Sequence, residues 1–202
     1  MAKRKRKKRT TSSPKVSDAQ TVVNSLPPKS REESLWIRLY GDSVLREKAL
    51  PVQEITAVER KLAEDMLTTM YASSNGVGLA APQVGVLKCL TVIDVNRDDP
   101  ASSPLILFNP KIESLEGEVV DEEGCLSFPE ITVEVKRAAK ALVTAQNIDG
   151  ELIRVEGEGL LARVLQHEID HLDGILFIDH VSGLKRQLLR GKLRKLKQQS
   201  QP

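Results

Sequence analysis

Cysteine is nearly absent from this chain of 202 residues, which has only Cys89 and Cys125. Two thiols are too few for a disulfide framework, and no apolar signal region follows the basic N-terminus, so the sequence fits a reducing, intracellular compartment. Aromatic residues make up 3% of the chain. The core therefore has to be built mainly from aliphatic side chains. No apolar run approaches the roughly 20 residues that a membrane span needs, which excludes a helical membrane protein. Histidine is also scarce, occurring at His167, His171 and His180.

What remains is an ordinary globular composition, 40% hydrophobic and 29% charged, at a length that suits one domain with tails. The net charge of +2 hides a strong asymmetry. Residues 1–33 carry 10 Lys or Arg against 3 acids, and residues 185–202 carry 7 against none, so the body between them is 12 negative. An acidic body with two basic ends is expected to meet different partners through its parts. The division this suggests is a disordered basic tail over 1–34, a folded domain over 35–184 and a basic C-terminal helix over 185–202. The N-terminal tail is Ser/Thr/Pro-rich after its basic start and has little to bury. Its readings are a solubilising segment or a contact with nucleic acid phosphates. A transit peptide fits less well, because the tail is Lys-rich and lacks an apolar face.

Periodicity supplies the elements. Val58, Leu62, Met66 and Met70 recur every four residues and predict an amphipathic helix over Thr56–Ala72, with that stripe in the core. Strands are predicted over Leu87–Val95, Leu105–Pro110, Ile131–Val135, Ala139–Ile148 and Glu151–Gly157. Cys89, inside the first, reads as a buried structural thiol, and Asp149-Gly150 reads as a hairpin turn between the last two. A second helix spans Gly159–Gly174, ending at its glycine. The fold class expected is α+β, with antiparallel strands packed around that helix, one helix on its N-terminal side and one at the C-terminus.

The central helix carries "QHEIDH". His167 and His171 are i and i+4, so both imidazoles project from one face about a turn apart, as a shared metal ion requires. Glu168 lies roughly 100° round the helix, within reach of a water on that metal. Two polar rings in an otherwise apolar helix are costly to bury without such a partner. A catalytic site needs a third protein ligand and one open position. His180 and Asp179 stand downstream, but Cys125 in "EGCLSFPE" is the better candidate. A structural cysteine belongs in an apolar strand, whereas this one follows Gly124 and precedes Ser127 and Pro129.

Three segments in order, "GVGLAAPQVG" (Gly76–Gly85), "EGCLS" (Glu123–Ser127) and "QHEIDH" (Gln166–His171), resemble the signature motifs of the peptide deformylases, of bacterial and plastid type. The resemblance covers roughly residues 35–185. It implies a metal-dependent hydrolase that removes the N-formyl group from the N-terminal formyl-methionine of nascent polypeptides, releasing formate. It further implies one divalent metal on Cys125, His167 and His171, with Fe(2+) the usual ion and Zn(2+), Ni(2+) or Co(2+) accepted. Glu168 is then the general acid and base, and the Gln83 amide and the Leu126 backbone N–H are the oxyanion donors. Substrate contacts are expected at Gly78 and Gly124. Val77, Leu160 and Val164 would wall a methionine pocket, the last two lying on the His167 face of the helix. Arg163 is open between the cleft mouth and solvent. The enzyme is expected to be a cytoplasmic monomer, with a plastid as the alternative location.

The C-terminal stretch "LKRQLLRGKLRKLKQQ" (Leu184–Gln199) sets Leu184, Leu188, Leu189, Leu193 and Leu196 at helical spacing among Lys and Arg. It reads as a packed terminal helix with a solvated face, or as a contact to ribosomal RNA, helped by the N-terminal tail. Two competing functions are an H-E-x-x-H endopeptidase, which would tolerate loss of Cys125, and a metal-stabilised RNA-binding module, which would leave Glu168 idle.

Overall fold

The computed structural model describes residues 34–99 and 101–200, so the tail expected over 1–34 lies almost entirely outside them. Thr56 opens the first long helix, α1 (Ala57–Ala72), by a reciprocal cap: its side chain accepts from the Val58 N–H, and its own N–H donates to Glu59 Oε2 at 3.0 Å. Seven strands follow α1: β1 (Gly78–Ala80), β2 (Leu90–Ile93), β3 (Leu105–Glu116), β4 (Val119–Gly124), β5 (Thr132–Arg137), β6 (Lys140–Gln146) and β7 (Leu152–Glu158). Two helices close the chain, α2 (Leu160–Leu172) and α3 (Gly183–Gln199). All strand pairs are antiparallel. They form a five-stranded sheet in the order β1-β2-β3-β6-β7 and a separate hairpin, β4-β5. The fold is α+β, as the sequence predicts.

α2 lies against the larger sheet. Leu165 and Ile169 pack with Ile93, Leu107 and Val143, and a side chain at Gly157 of β7 would stand 2.8 Å from Leu165 Cδ1, so that glycine sets how closely the helix approaches. Met66 and Met70 of α1 cover another part of the sheet through Leu79, Leu90 and Phe108. The β4-β5 hairpin has its own cluster, in which Phe128, Val133 and Val135 meet Phe177 and the α3 residues Leu193 and Leu196. α2 ends at Gly174, whose φ of 73° suits a glycine and directs the Ile175 N–H back to the Asp170 carbonyl at 2.9 Å.

Several expectations need correction. Val58 is 68% exposed, so the core stripe of α1 begins at Leu62. Cys89 sits one residue before β2 and is half-buried, its thiol directed at the Ala49 carbonyl at 3.5 Å. β3 runs on past Pro110 to Glu116. Register shifts against β6 absorb the proline, and Asn109, at φ 52°, closes the gap by bonding Val52 with both ends of its amide. β4 is missing from the sequence reading because "VVDEEG" is acidic and exposed along almost its whole length. In α3 only part of the leucine stripe is covered: Leu193 and Leu196 are buried and Leu189 packs beside them, whereas Leu184 and Leu188 face solvent.

Candidate metal centre

Cys125 follows directly on β4, in a turn held from both sides. The Phe128 N–H returns to the Cys125 carbonyl at 2.9 Å, and the Tyr40 N–H donates to the Ser127 carbonyl at 2.9 Å. Phe128 is the anchor. It is 1% exposed and packs edge-on against Phe177, with ring centroids 4.9 Å apart. Burying such a ring contributes about 1.5–3 kcal/mol, enough to fix the turn and the thiol it carries. In a chain this poor in aromatics, two of the three phenylalanines serve that one turn.

The thiol faces α2. Its Sγ lies 3.2 Å from His171 Nε2, and the metal-binding atoms of Cys125, His167 and His171 all fall within 4.8 Å of one another. The two imidazoles stand edge to face, centroids 4.9 Å apart. His171 Nδ1 is buried without a hydrogen-bond partner, and so is Glu168 Oε2. Burial pushes the Glu168 carboxyl up to about 7, since the positive His167 and Arg137 offset only part of its desolvation. One thiolate and two imidazoles are a donor set for a divalent ion, and three protein ligands leave one position open. The residues present therefore fit a resident metal.

The sequence reading missed the partners behind these ligands. Glu123, at 5% exposure, places Oε1 3.0 Å from His167 Nδ1 and 3.1 Å from Arg137 Nη2. Its burial works against ionisation, but the hydrogen bond from His167 and the charge of Arg137 hold the carboxyl below its usual range. Arg137 in turn bonds Asp170, which takes His180 Nε2 at 2.7 Å. The available signal was position: Glu123 stands two residues before a proposed ligand, and a ligating histidine commonly hands its second nitrogen to a carboxylate. His180 is thereby engaged away from the thiol, and Asp179 binds Arg46 and the Leu176 N–H. Arg163 lines the cleft rather than facing solvent. It is buried, and donates to the carbonyls of Val135 at 3.0 Å and Val119 at 3.3 Å, tying α2 to the β4-β5 hairpin.

A cleft of about 570 Å³ opens over this cluster. Gln83, Leu126, Val77, Leu160, Val164, Gly78 and Gly124 all line it, with Cys125, His167 and Glu168. Gln83 is fixed through Oε1, which accepts from the Ala80 N–H at 2.9 Å, so its NH₂ group points to Ser127 Oγ at 3.2 Å and Cys125 Sγ at 3.4 Å. Gly78 lies so close to Glu168 that a Cβ would overlap Oε1 and stand 2.8 Å from Val164 Cγ1. Two free strand edges flank the opening: β1 is the last strand of its sheet, and β4 has a partner on one side only.

A carboxyl buried without a partner beside three metal-grade donors costs stability, and such strongly perturbed groups cluster at functional sites. The site and fold are those of a metal-dependent hydrolase. The sequence profile of the polypeptide deformylase family matches residues 34–187. The peptide deformylase of Desulfitobacterium hafniense is 58% identical over 147 residues, covering 73% of this chain and 94% of its own. That of Thermodesulfovibrio yellowstonii is 50% identical over 160 residues, covering 79% of this chain and 96% of its own. A crystal structure of a peptide deformylase from Legionella pneumophila superposes with a TM-score of 0.76 at 44% identity, over 84% of this chain and 99% of that one. The chain belongs to the polypeptide deformylase family, metal-dependent hydrolases that remove the N-formyl group from nascent polypeptides.

Proposed function

We propose that Cys125, His167 and His171 hold one divalent ion, Fe(2+) in the native enzyme, and that Glu168 is the proton carrier of the deformylation. The observation that carries this is the unpartnered Glu168 carboxyl, buried at the floor of the cleft beside the three donors. When bound, such an ion acts as a Lewis acid and lowers the pKa of its water from about 15.7 towards 7. Glu168 accepts the proton of the attacking water and returns it to the departing amine of methionine, a role that its place in the cleft beside the three donors allows. The Gln83 NH₂ group and the Leu126 N–H stabilise charge on the formyl oxygen, each worth about 3–4 kcal/mol in comparable sites.

The substrate is an extended N-formylmethionyl peptide, its backbone laid between the free edges of β1 and β4 at Gly78 and Gly124. Val77, Leu160 and Val164 receive the methionine side chain. The deciding experiment is formate release from a formyl-Met peptide by protein purified without oxygen, with metal content measured alongside, for the native chain and Cys125→Ala. Activity with about one ion per chain, both lost in the variant, is expected. Cleavage of unformylated peptides that survives Cys125→Ala would instead mark an endopeptidase.

No helix among the described residues is long and apolar enough to cross a membrane. The compartment that fits is one where translation starts with formyl-methionine, the bacterial cytoplasm or a plastid, with the enzyme acting as a monomer. Arg190, Arg194 and Lys197 of α3 line a groove of about 500 Å³ together with Tyr40. This basic face suits ribosomal RNA, with the N-terminal tail as a second contact. Ribosome binding should weaken steeply between 50 and 200 mM salt, and salt-independent binding would overturn the assignment.

A further inference from the structure

On the Cys125 side the cleft continues past the metal centre. Its wall of Pro129, Glu130 and Ile131 is shared with a second depression of about 320 Å³, whose far side is α3. Lys192, Lys195 and Gln199 line that side at i, i+3 and i+7, so they project from one helical face. This is a different face from the one bearing Arg190 and Arg194, with the buried leucines between them. The Lys192 ammonium donates to the Glu130 carbonyl at 3.5 Å, which holds α3 over the shared wall. Glu130 itself has a φ of 62°, a rare conformation for a residue other than glycine, of the kind found where backbone is shaped around a ligand.

The charges on this face are unspent. Lys185 of α3 is paired with Glu134 at 2.6 Å and Arg186 with Asp179 at 3.7 Å, but no ion pair among the described residues engages Lys192 or Lys195. A hydrolase that buries the formyl end of a long chain must lead the rest of that chain out of the cleft. Elsewhere in the cleft lining, Ser73 and Asn75 are uncharged, and the Arg97 guanidinium beside them is held by the carbonyls of Ser73 and Gly76 at 2.9 and 2.7 Å. Resting on the deformylase reading above, we infer that the second depression takes the substrate downstream of methionine and that Lys192 and Lys195 favour an acidic side chain there. They are specificity residues, and they touch the peptide far from the reacting bond.

The test is a series of formyl-Met peptides of six residues, otherwise alanine and serine, with Asp or Lys walked from the third position to the sixth. At low salt the native chain should prefer Asp over Lys at one position by about three- to fivefold in kcat/KM, through KM, as an exposed ion pair provides. In the Lys192→Glu/Lys195→Glu variant the preference should reverse. In Lys192→Gln/Lys195→Gln it should vanish, and in the native chain and Lys192→Glu/Lys195→Glu it should fade at 1 M salt, where the Debye length is about 3 Å. Formyl-Met-Ala, too short to reach α3, should be turned over equally by all three proteins. That control separates the two readings, since its failure in the native chain falls on the deformylase assignment. Equal rates for Asp and Lys at every position, or a preference that survives both variants, would overturn the inference.

Discussion

Glu168→Gln should fold, keep its metal and release formate about 10²–10⁴-fold more slowly, with the loss in kcat. Glutamine has the shape of the residue it replaces, so it fits beneath Gly78, where the space is already filled to contact. It cannot take a proton from water or deliver one to an amine. Because Glu168 Oε2 is buried without a partner, its removal should not lower stability, and thermal unfolding of the variant is expected at or above that of the parent. Metal analysis, formate release and a melting curve on one preparation test all of this together. Activity within tenfold of the parent would remove Glu168 from the chemistry and favour a metal that only supports the fold.

Glu123→Ala should be the most damaging change to the structure, costing about 3–5 kcal/mol and weakening metal affinity about 10–100-fold. The carboxylate is shared by Arg137 and His167, with Arg163 Nη1 3.6 Å away, and the two arginine side chains are 4% and 6% exposed. Deleting it leaves two buried cations facing each other and frees the His167 ring to turn. Glu123→Gln keeps an acceptor for His167 but loses the charge, so it should fall between alanine and the parent. Urea midpoints of the metal-free proteins isolate the stability effect, and competition with a chelator isolates the affinity. Metal affinity unchanged in Glu123→Ala would show that His167 is oriented by packing on its helix alone.

How much of this could be read from the sequence depended on how local the signal was. The H-E-x-x-H spacing and the Gly174 stop are set within a turn or two of chain, and both appear where the residues put them. The α+β class followed from the same kind of pattern. β4 was not legible, because its acids mask the alternation and its stability comes from pairing with β5 and from the Arg163 clamp. The Glu123–Arg137–Asp170 network was not legible either: its members lie 14 and 33 residues apart, and only the folded chain brings them into contact. Arg163 shows the limit most plainly. Its neighbours in sequence leave it open between a cleft and solvent, and the carbonyls that bury it at the cleft wall belong to strands 28 and 44 residues away.

The contact between Gly78 and Glu168 makes two distant positions a single choice. A β-carbon at 78 requires the Glu168 carboxylate to move, and the carboxylate as placed leaves no room for a side chain at 78. A lineage that abandoned the chemistry would be released from this constraint first at the glycine, where any substitution that fills the gap is then free to accumulate. Here position 78 is glycine, and the Glu168 carboxylate fills the space that a side chain there would take.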